Sequence, residues 1–140
     1  MIVVVDASVI LKRFVQEADS PEATRLRERH LTGAVLLAAP DLLLYEIGNA
    51  LRFKRDFTAT DTRDALSDLL HLQLELMTPT ERLLRKAVDL AHRHRLTYYD
   101  SIYLAVANEL ETTLITADKR LHEASGKSAP VILLHEAISL

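Results

Sequence analysis

The sequence predicts an α/β fold, with one three-layer α/β/α domain over residues 1–140 and a central, mostly parallel sheet of about five strands. Two observations indicate this fold. Short and almost continuously apolar runs, bounded by turn residues, alternate with longer stretches of helical periodicity. Strands that are apolar on both faces are typical of parallel sheets covered by helices on either side. With 140 residues, 49% of them hydrophobic, the chain is long enough to bury such a core.

Five apolar runs are the predicted strands. The first begins at Ile2 and consists of β-branched residues, which fit a buried strand. The five runs are Ile2–Val5, Val35–Ala38, Leu74–Met77, Thr113–Thr116 and Val131–Leu133.

Helix-start signals open the stretches between these runs. Ser20 can cap a helix whose first position is Pro21, and Pro40-Asp41 precedes the segment LLLYEIGNALRFK. The remaining predicted starts are Thr60, Thr78-Pro79, Tyr99-Asp100 and Asp118.

The composition excludes several kinds of site. The chain has only three glycines, and neither GxGxxG nor GxxxxGK[ST] occurs, which argues against a dinucleotide or P-loop site. The absence of cysteine rules out disulfides and thiolate metal sites, and it fits a reducing compartment. No signal-peptide pattern or bilayer-length apolar run is present, so we expect a cytoplasmic protein with no membrane contact. The net charge of −3 gives no overall basic surface for nucleic acid.

Two aspartates follow predicted strands that are far apart in the sequence. Asp6 comes directly after the first strand, and Asp118 lies two residues past Thr116. Parallel strands bring their carboxyl ends to one edge of the sheet, where ligands bind, so we expect both carboxylates at that edge. Each aspartate could instead act only as the N-terminal cap of the helix that follows it.

Two more acids lie in helices that are predicted to be buried. Asp100 opens the apolar segment DSIYLAVA, where the helix dipole and the unpaired N–H groups of the first turn favour an ionised carboxylate. Glu46 lies among apolar residues in LLLYEIGNAL, where an unpaired glutamate would be costly. Asn49 is three residues further along the same helix face and can share a site with Glu46. Asp100 could instead be only a favourable acid in the first turn of its helix, without a role in a site. Glu46 could instead face the solvent.

Carboxylates gathered in one place repel each other and raise one another's pKa values unless a cation lies among them. Mg²⁺ and Mn²⁺ prefer carboxylate oxygens and water, and no cysteine or neighbouring histidine offers a softer ligand here. The sequence therefore predicts a site for a hard divalent metal ion, formed by Asp6, Glu46, Asp100 and Asp118.

Four segments of the chain resemble those of PIN-domain ribonucleases in order and approximate spacing. They are DAS after the first strand, the E-x-x-N helix, YYDSIYLAVA and ITADKRL, and the resemblance spans essentially the whole chain. In particular, the chain resembles the toxin half of VapBC-type toxin–antitoxin pairs. This resemblance implies a PIN-like fold and an endoribonuclease that depends on Mg²⁺ or Mn²⁺. It also implies an RNA substrate, a small antitoxin partner and a homodimer.

The resemblance further implies which residues carry the activity. The four acids are expected to hold one or two metal ions, with Asp6 and Asp100 bound directly and the other two directly or through water. The supporting polar residues are expected to be Ser8, Asn49 and Thr116.

Basic and aromatic residues near the acids are candidates for RNA contacts. The candidates for phosphate contacts are Lys12, Arg13, Lys119 and Arg120, with Arg52, Lys54 and Arg55 at the far end of the Glu46 helix. Tyr98, Tyr99 and Tyr103 could stack on bases, although the spacing of the last two is also that of core or interface residues.

Two other functions remain open on the sequence. A chain with this fold could be a catalytically silent module that only docks a partner in its acidic groove. Asp6 could alternatively accept a phosphoryl group, as in aspartate-based phosphatases, although Ser8 occupies the place where the haloacid-dehalogenase pattern needs a second aspartate.

Overall fold

The structure, a computed structural model, describes residues 1–15, 19–126 and 130–140. Its strands are β1 (Ile2–Val5), β2 (Leu36–Pro40), β3 (Glu75–Met77), β4 (Leu114–Thr116) and β5 (Val131–Leu133). Its helices are α1 (Ala7–Leu11), α2 (Ser20–Leu31), α3 (Leu42–Arg52), α4 (Ala59–His71), α5 (Glu81–His94), α6 (Tyr98–Glu109) and α7 (Lys119–Ala124), and a 3₁₀ helix covers Leu134–Ser139. The five predicted strands are all present, with small shifts at their ends.

The strands form one parallel sheet in the order β3-β2-β1-β4-β5. The chain builds outward from β1 to β2 and β3, and then returns to place β4 and β5 on the other side of β1. Val5 pairs with Ile115, so the residues that follow these strands emerge side by side at one edge. The order of the strands reverses between β1 and β4, and such a reversal is where open α/β sheets bind ligands. The predicted fold class is confirmed.

Both faces of the central strands are covered. Val3, Val4 and Val5 point alternately to opposite faces of the sheet, and each is at most 2% exposed. Helix α6 packs against β1, β2 and β4 on one side and against α5 on another, and every residue from Ser101 to Ala107 is buried. Its burial explains why its sequence is apolar on nearly every side.

Several helices begin at a different residue from the predicted one. Helix α4 is capped by Thr58 rather than Thr60, because Thr58 and Asp61 bond to each other's backbone N–H groups in a capping box. The hydroxyl of Thr97 caps α6 by accepting the N–H of Asp100, so Asp100 is the third helical residue. Asp100 therefore lies within the first helical turn, as predicted.

No helix within the described ranges combines the length and the apolar character needed to span a membrane.

Candidate metal centre

Asp6 lies at the carboxyl end of β1 and is only 6% exposed. Its Oδ1 atom accepts a hydrogen bond from Ser8 Oγ at 2.5 Å, and its Oδ2 atom accepts one from Thr116 Oγ1 at 2.5 Å. The backbone N–H of Val9 also donates to Oδ1, at 3.3 Å, so Asp6 caps α1 as well. Three donors thus fix the orientation of a buried carboxylate.

The hydroxyls of Ser8 and Thr116 are themselves held by backbone groups that follow β4. The N–H of Ala117 donates to Ser8 Oγ at 2.9 Å, and the N–H of Asp118 donates to Thr116 Oγ1 at 3.0 Å. The two hydroxyl oxygens lie 3.4 Å apart. This network connects the ends of β1 and β4, so the position of Asp6 is tied to the turn that carries Asp118.

Asp118 caps the short helix α7. Its Oδ1 atom accepts the N–H groups of Arg120 at 2.9 Å and Leu121 at 3.3 Å. Its Oδ2 atom lies 3.8 Å from the Arg120 guanidinium, and its side chain is 37% exposed. One oxygen therefore caps the helix, while the other lies near the guanidinium that also contacts Asp100.

Asp100 projects from the first turn of α6 towards the same edge. Its Oδ2 atom accepts a hydrogen bond from Arg120 Nη2 at 3.3 Å. The same nitrogen contacts Asp118, so one guanidinium lies between these two carboxylates. Burial raises the pKa of Asp100, and the negative charge of Asp118 adds to this shift, while the bonds from Thr97 and Arg120 oppose it.

Glu46 reaches the cluster from the middle of α3. Its Oε1 atom is buried and has no hydrogen-bond partner. Burial raises the pKa of Glu46, and the charge of Asp100 raises it further. An unpaired carboxylate oxygen in the interior is costly unless a donor or a cation can approach it.

The charges of the four acids act on one another. Burial raises the pKa of Asp6 to about 6 despite the hydrogen bonds from Ser8 and Thr116, and the charge of Asp100 raises it further. Asp100 thus interacts electrostatically with Asp6, Glu46 and Asp118. Among the described residues, however, no three histidine, aspartate or glutamate side chains already surround a common point in a geometry that would hold a metal ion. The acids converge on one region without forming a closed set of ligands.

Comparison with known proteins gives the family. Residues 3–127 match the family model described as "PIN domain". The chain belongs to the PIN-domain family. It is 31% identical over 134 residues to Ribonuclease VapC1 of Mycobacterium tuberculosis, a match that covers 94% of this chain and 96% of that protein. It is 33% identical over 128 residues to Ribonuclease VapC3 of Pyrobaculum aerophilum, covering 88% and 94%. The predicted family resemblance is confirmed.

Solved structures have the same fold. The crystal structure of PAE2754 from Pyrobaculum aerophilum has a TM-score of 0.64 at 24% identity and covers 97% of this chain and 94% of its own. VapBC2 from Rickettsia felis, bound to a DNA fragment from its promoter, has a TM-score of 0.73 at 12% identity and covers 95% and 98%. These likenesses establish the PIN fold.

The acids of this PIN domain have the chemistry that a divalent cation requires. PIN-domain ribonucleases depend on divalent metal ions in general. Here three partly or fully buried carboxylates have raised pKa values, and the buried Glu46 Oε1 has no partner. A bound cation would relieve both the mutual repulsion and the unsatisfied oxygen. The donor set therefore fits a hard metal ion.

Two of the other predicted site residues are already in ion pairs and a third is exposed on α3, whereas two basic residues are exposed beside Asp118. Asn49 is exposed, whereas Glu46 Oε1 is buried. Lys12 forms an ion pair with Asp19 at 2.8 Å, and Arg13 forms one with Asp68. Asp19 lies just before α2 and Asp68 lies on α4, so both cations already have acidic partners. Lys119 and Arg120 are exposed at the start of α7, beside Asp118.

The structure also shows one residue whose relation to the site the sequence did not reveal. Tyr103 is 1% exposed, so it cannot stack on an RNA base in this conformation. Its hydroxyl lies close to Glu46. The only sequence signal was its position three residues after Asp100, which places both on one face of α6.

Proposed function

We propose that this PIN-domain protein is a metal-dependent endoribonuclease that hydrolyses RNA phosphodiester bonds and is the toxin of a toxin–antitoxin pair. One observation carries the proposal: four acids, which follow β1 and β4 or lie on α3 and α6, influence one another near the point where the order of the strands reverses. The relatives named above as ribonucleases support the same activity.

We propose Mg²⁺, or Mn²⁺ in its place, as the resident metal, held by Asp6, Glu46, Asp100 and Asp118. Asp6 and Asp100 are the proposed direct ligands, and Glu46 and Asp118 act directly or through water. When bound, such an ion lowers the pKa of a coordinated water and stabilises charge on the phosphate.

The other residues of the chain position these acids and the substrate. The hydroxyls of Ser8 and Thr116 hold both oxygens of Asp6 in place. Lys119 and Arg120 are the best-placed phosphate contacts, because they are exposed next to the acids. Lys12 and Arg13 could contribute only after leaving their present ion pairs, and Asn49, exposed on α3, is a proposed supporting residue three positions after Glu46.

The proposed partners follow from the relatives. Solved neighbours include a toxin–antitoxin complex from Klebsiella pneumoniae and VapBC-5 from Mycobacterium tuberculosis, a member of the VapBC family of toxin–antitoxin systems. We propose that this chain binds a small antitoxin protein, forms a homodimer and works in the cytoplasm as one domain spanning residues 1–140. A phosphoryl-acceptor role for Asp6 is disfavoured, because it would leave Glu46 and Asp100 without a task in the reaction.

An RNA cleavage assay tests the activity. The parent protein should cut RNA with Mg²⁺ or Mn²⁺ and lose all cutting with a chelator. Asp100→Asn should slow cleavage by about 100-fold or more, because a direct ligand loses its charge. Asp64→Asn changes an exposed aspartate of α4 and should cut like the parent. Unchanged cutting by Asp100→Asn would count against the site, and partner binding without any cleavage would identify a silent docking module.

A further inference from the structure

Tyr103 presents a buried hydroxyl to the acidic cluster. The residue is 1% exposed, and its hydroxyl has no hydrogen-bond partner in the structure. Glu46 Oε1, on helix α3, is also buried without a partner. Buried polar groups are nearly always paired, so two unpaired groups of complementary chemistry near each other call for an explanation.

Three of the four acids act electrostatically on this hydroxyl. After burial, the largest influence on its pKa is the charge of Glu46, followed by those of Asp6 and Asp100. A phenol hydroxyl carries one proton, so it can donate a hydrogen bond to a nearby carboxylate.

The tyrosine and the glutamate are close without forming a full hydrogen bond. The hydroxyl lowers the pKa of Glu46, as a donor does, but the pair lacks complete hydrogen-bond geometry. A hydrogen bond from the hydroxyl to Glu46 Oε1 would satisfy both groups. The ring of Tyr103 already fills the core, and a phenylalanine would fill the same space without adding an unpaired hydroxyl.

We propose that Tyr103 is a positioning residue of the metal centre, whose hydroxyl donates to Glu46 Oε1 and holds that carboxylate in the orientation that serves the bound ion. This inference rests on the proposed function. Groups that orient a metal ligand typically change metal affinity by about 10- to 100-fold when they are removed. Tyr103 would act only through Glu46 and would not touch the ion or the RNA.

Calorimetric titration with Mn²⁺ tests the proposal on the full chain. Tyr103→Phe should bind Mn²⁺ about tenfold more weakly than the parent, while its melting temperature is unchanged or raised. Tyr99→Phe is the matched control, since Tyr99 belongs to the same helix but is 59% exposed, and it should bind like the parent. Tyr103→Phe with parental Mn²⁺ affinity overturns the proposal. A weaker affinity accompanied by a lower melting temperature also overturns it, because that result describes a packing role.

A second variant shows whether Tyr103 acts through Glu46. In a Glu46→Gln background, adding Tyr103→Phe should change the Mn²⁺ affinity by less than about twofold, because the carboxylate to be oriented is gone. A full tenfold effect in that background contradicts the proposed pairing.

The outcomes also separate this inference from the proposed function. If the parent protein binds no Mn²⁺, both the proposed metal centre and the role of Tyr103 are wrong. If the parent binds Mn²⁺, Asp100→Asn does not, and Tyr103→Phe binds like the parent, the metal centre stands and only the proposed role of Tyr103 is wrong.

Discussion

Thr116 Oγ1 donates a hydrogen bond to Asp6 Oδ2 at 2.5 Å and thereby joins the ends of two strands that are 110 residues apart in the sequence. The same oxygen accepts the backbone N–H of Asp118. One buried hydroxyl therefore sets the relative position of two of the four acids. The geometry of the proposed metal centre therefore depends on Thr116, a residue that carries no charge.

Replacing Thr116 with valine tests that dependence. Thr116→Val keeps the shape of the side chain but removes both hydrogen bonds, so Asp6 and Asp118 lose their common anchor. Cleavage of RNA should fall by about 10- to 100-fold, the usual effect of removing a group that orients a metal ligand. Thr116→Ser keeps the hydroxyl and should retain most of the activity in the same assay. A valine variant as active as the parent would show that the hydroxyl plays no part.

The acidic cluster should make the metal-free protein less stable as the pH rises. Asp6 has a pKa of about 6 when folded and an ordinary value of 3.8, so between these values the folded state holds a proton that the unfolded state has lost. The free energy of unfolding therefore falls as the pH rises from about 4 to about 6, by on the order of 3 kcal/mol for Asp6 alone. The pKa values of Glu46 and Asp100 are raised as well, which adds to the fall.

Denaturant unfolding with chelator present, at pH 4.5 and pH 7.5, measures this effect. Asp6→Asn removes the contribution of Asp6, so the stability of this variant should vary less over the same range. Stability of the parent that increases from pH 4.5 to 7.5 would contradict the raised pKa values.

Arg120 should affect metal and RNA in opposite directions. Its guanidinium contacts both Asp100 and Asp118, where it competes with a cation for the same oxygens. Its side chain is 65% exposed, so these ion pairs add little to stability, and the residue is free to turn towards a phosphate. Arg120→Gln should therefore bind Mn²⁺ more tightly and RNA more weakly than the parent.

Lys119→Gln is the control for that variant, because it removes a neighbouring exposed charge that contacts no acid among the described ion pairs. It should weaken RNA binding without changing the affinity for Mn²⁺. Calorimetry with Mn²⁺ and filter binding with RNA at several salt concentrations measure the two quantities. Weaker Mn²⁺ binding by Arg120→Gln would mean that the arginine supports the metal site instead of competing for it.

The sequence predicted those parts of the fold and site that depend on local patterns. Runs such as Ile2–Val5 are buried on both faces, so their continuous apolar character indicated parallel strands directly. Asp6 and Asp118 follow strands whose ends meet at one edge, which made their convergence predictable. The position of Asp100 in the first turn of α6 was predictable from the apolar segment that it opens.

Other features depend on packing between distant elements and left no local signal. The approach of Tyr103 to Glu46 follows from how α6 lies against its neighbours in the core, and the sequence gives no spacing between the two. The ion pair between Arg13 and Asp68 joins residues on separate elements, so the sequence could present Arg13 only as a candidate phosphate contact. The cap of α4 was misplaced because Thr58 and Thr60 are both competent, and only the bond to Asp61 decides between them.

Mn²⁺ titration of four single variants tests the metal centre most directly. Asp6→Asn and Asp100→Asn should weaken binding by about 100-fold or more, and Glu46→Gln and Asp118→Asn by about tenfold. Asp64→Asn should bind like the parent, and each variant should retain the far-ultraviolet circular dichroism of the parent. If all four variants bound Mn²⁺ with the affinity of the parent, these carboxylates would not form a metal centre.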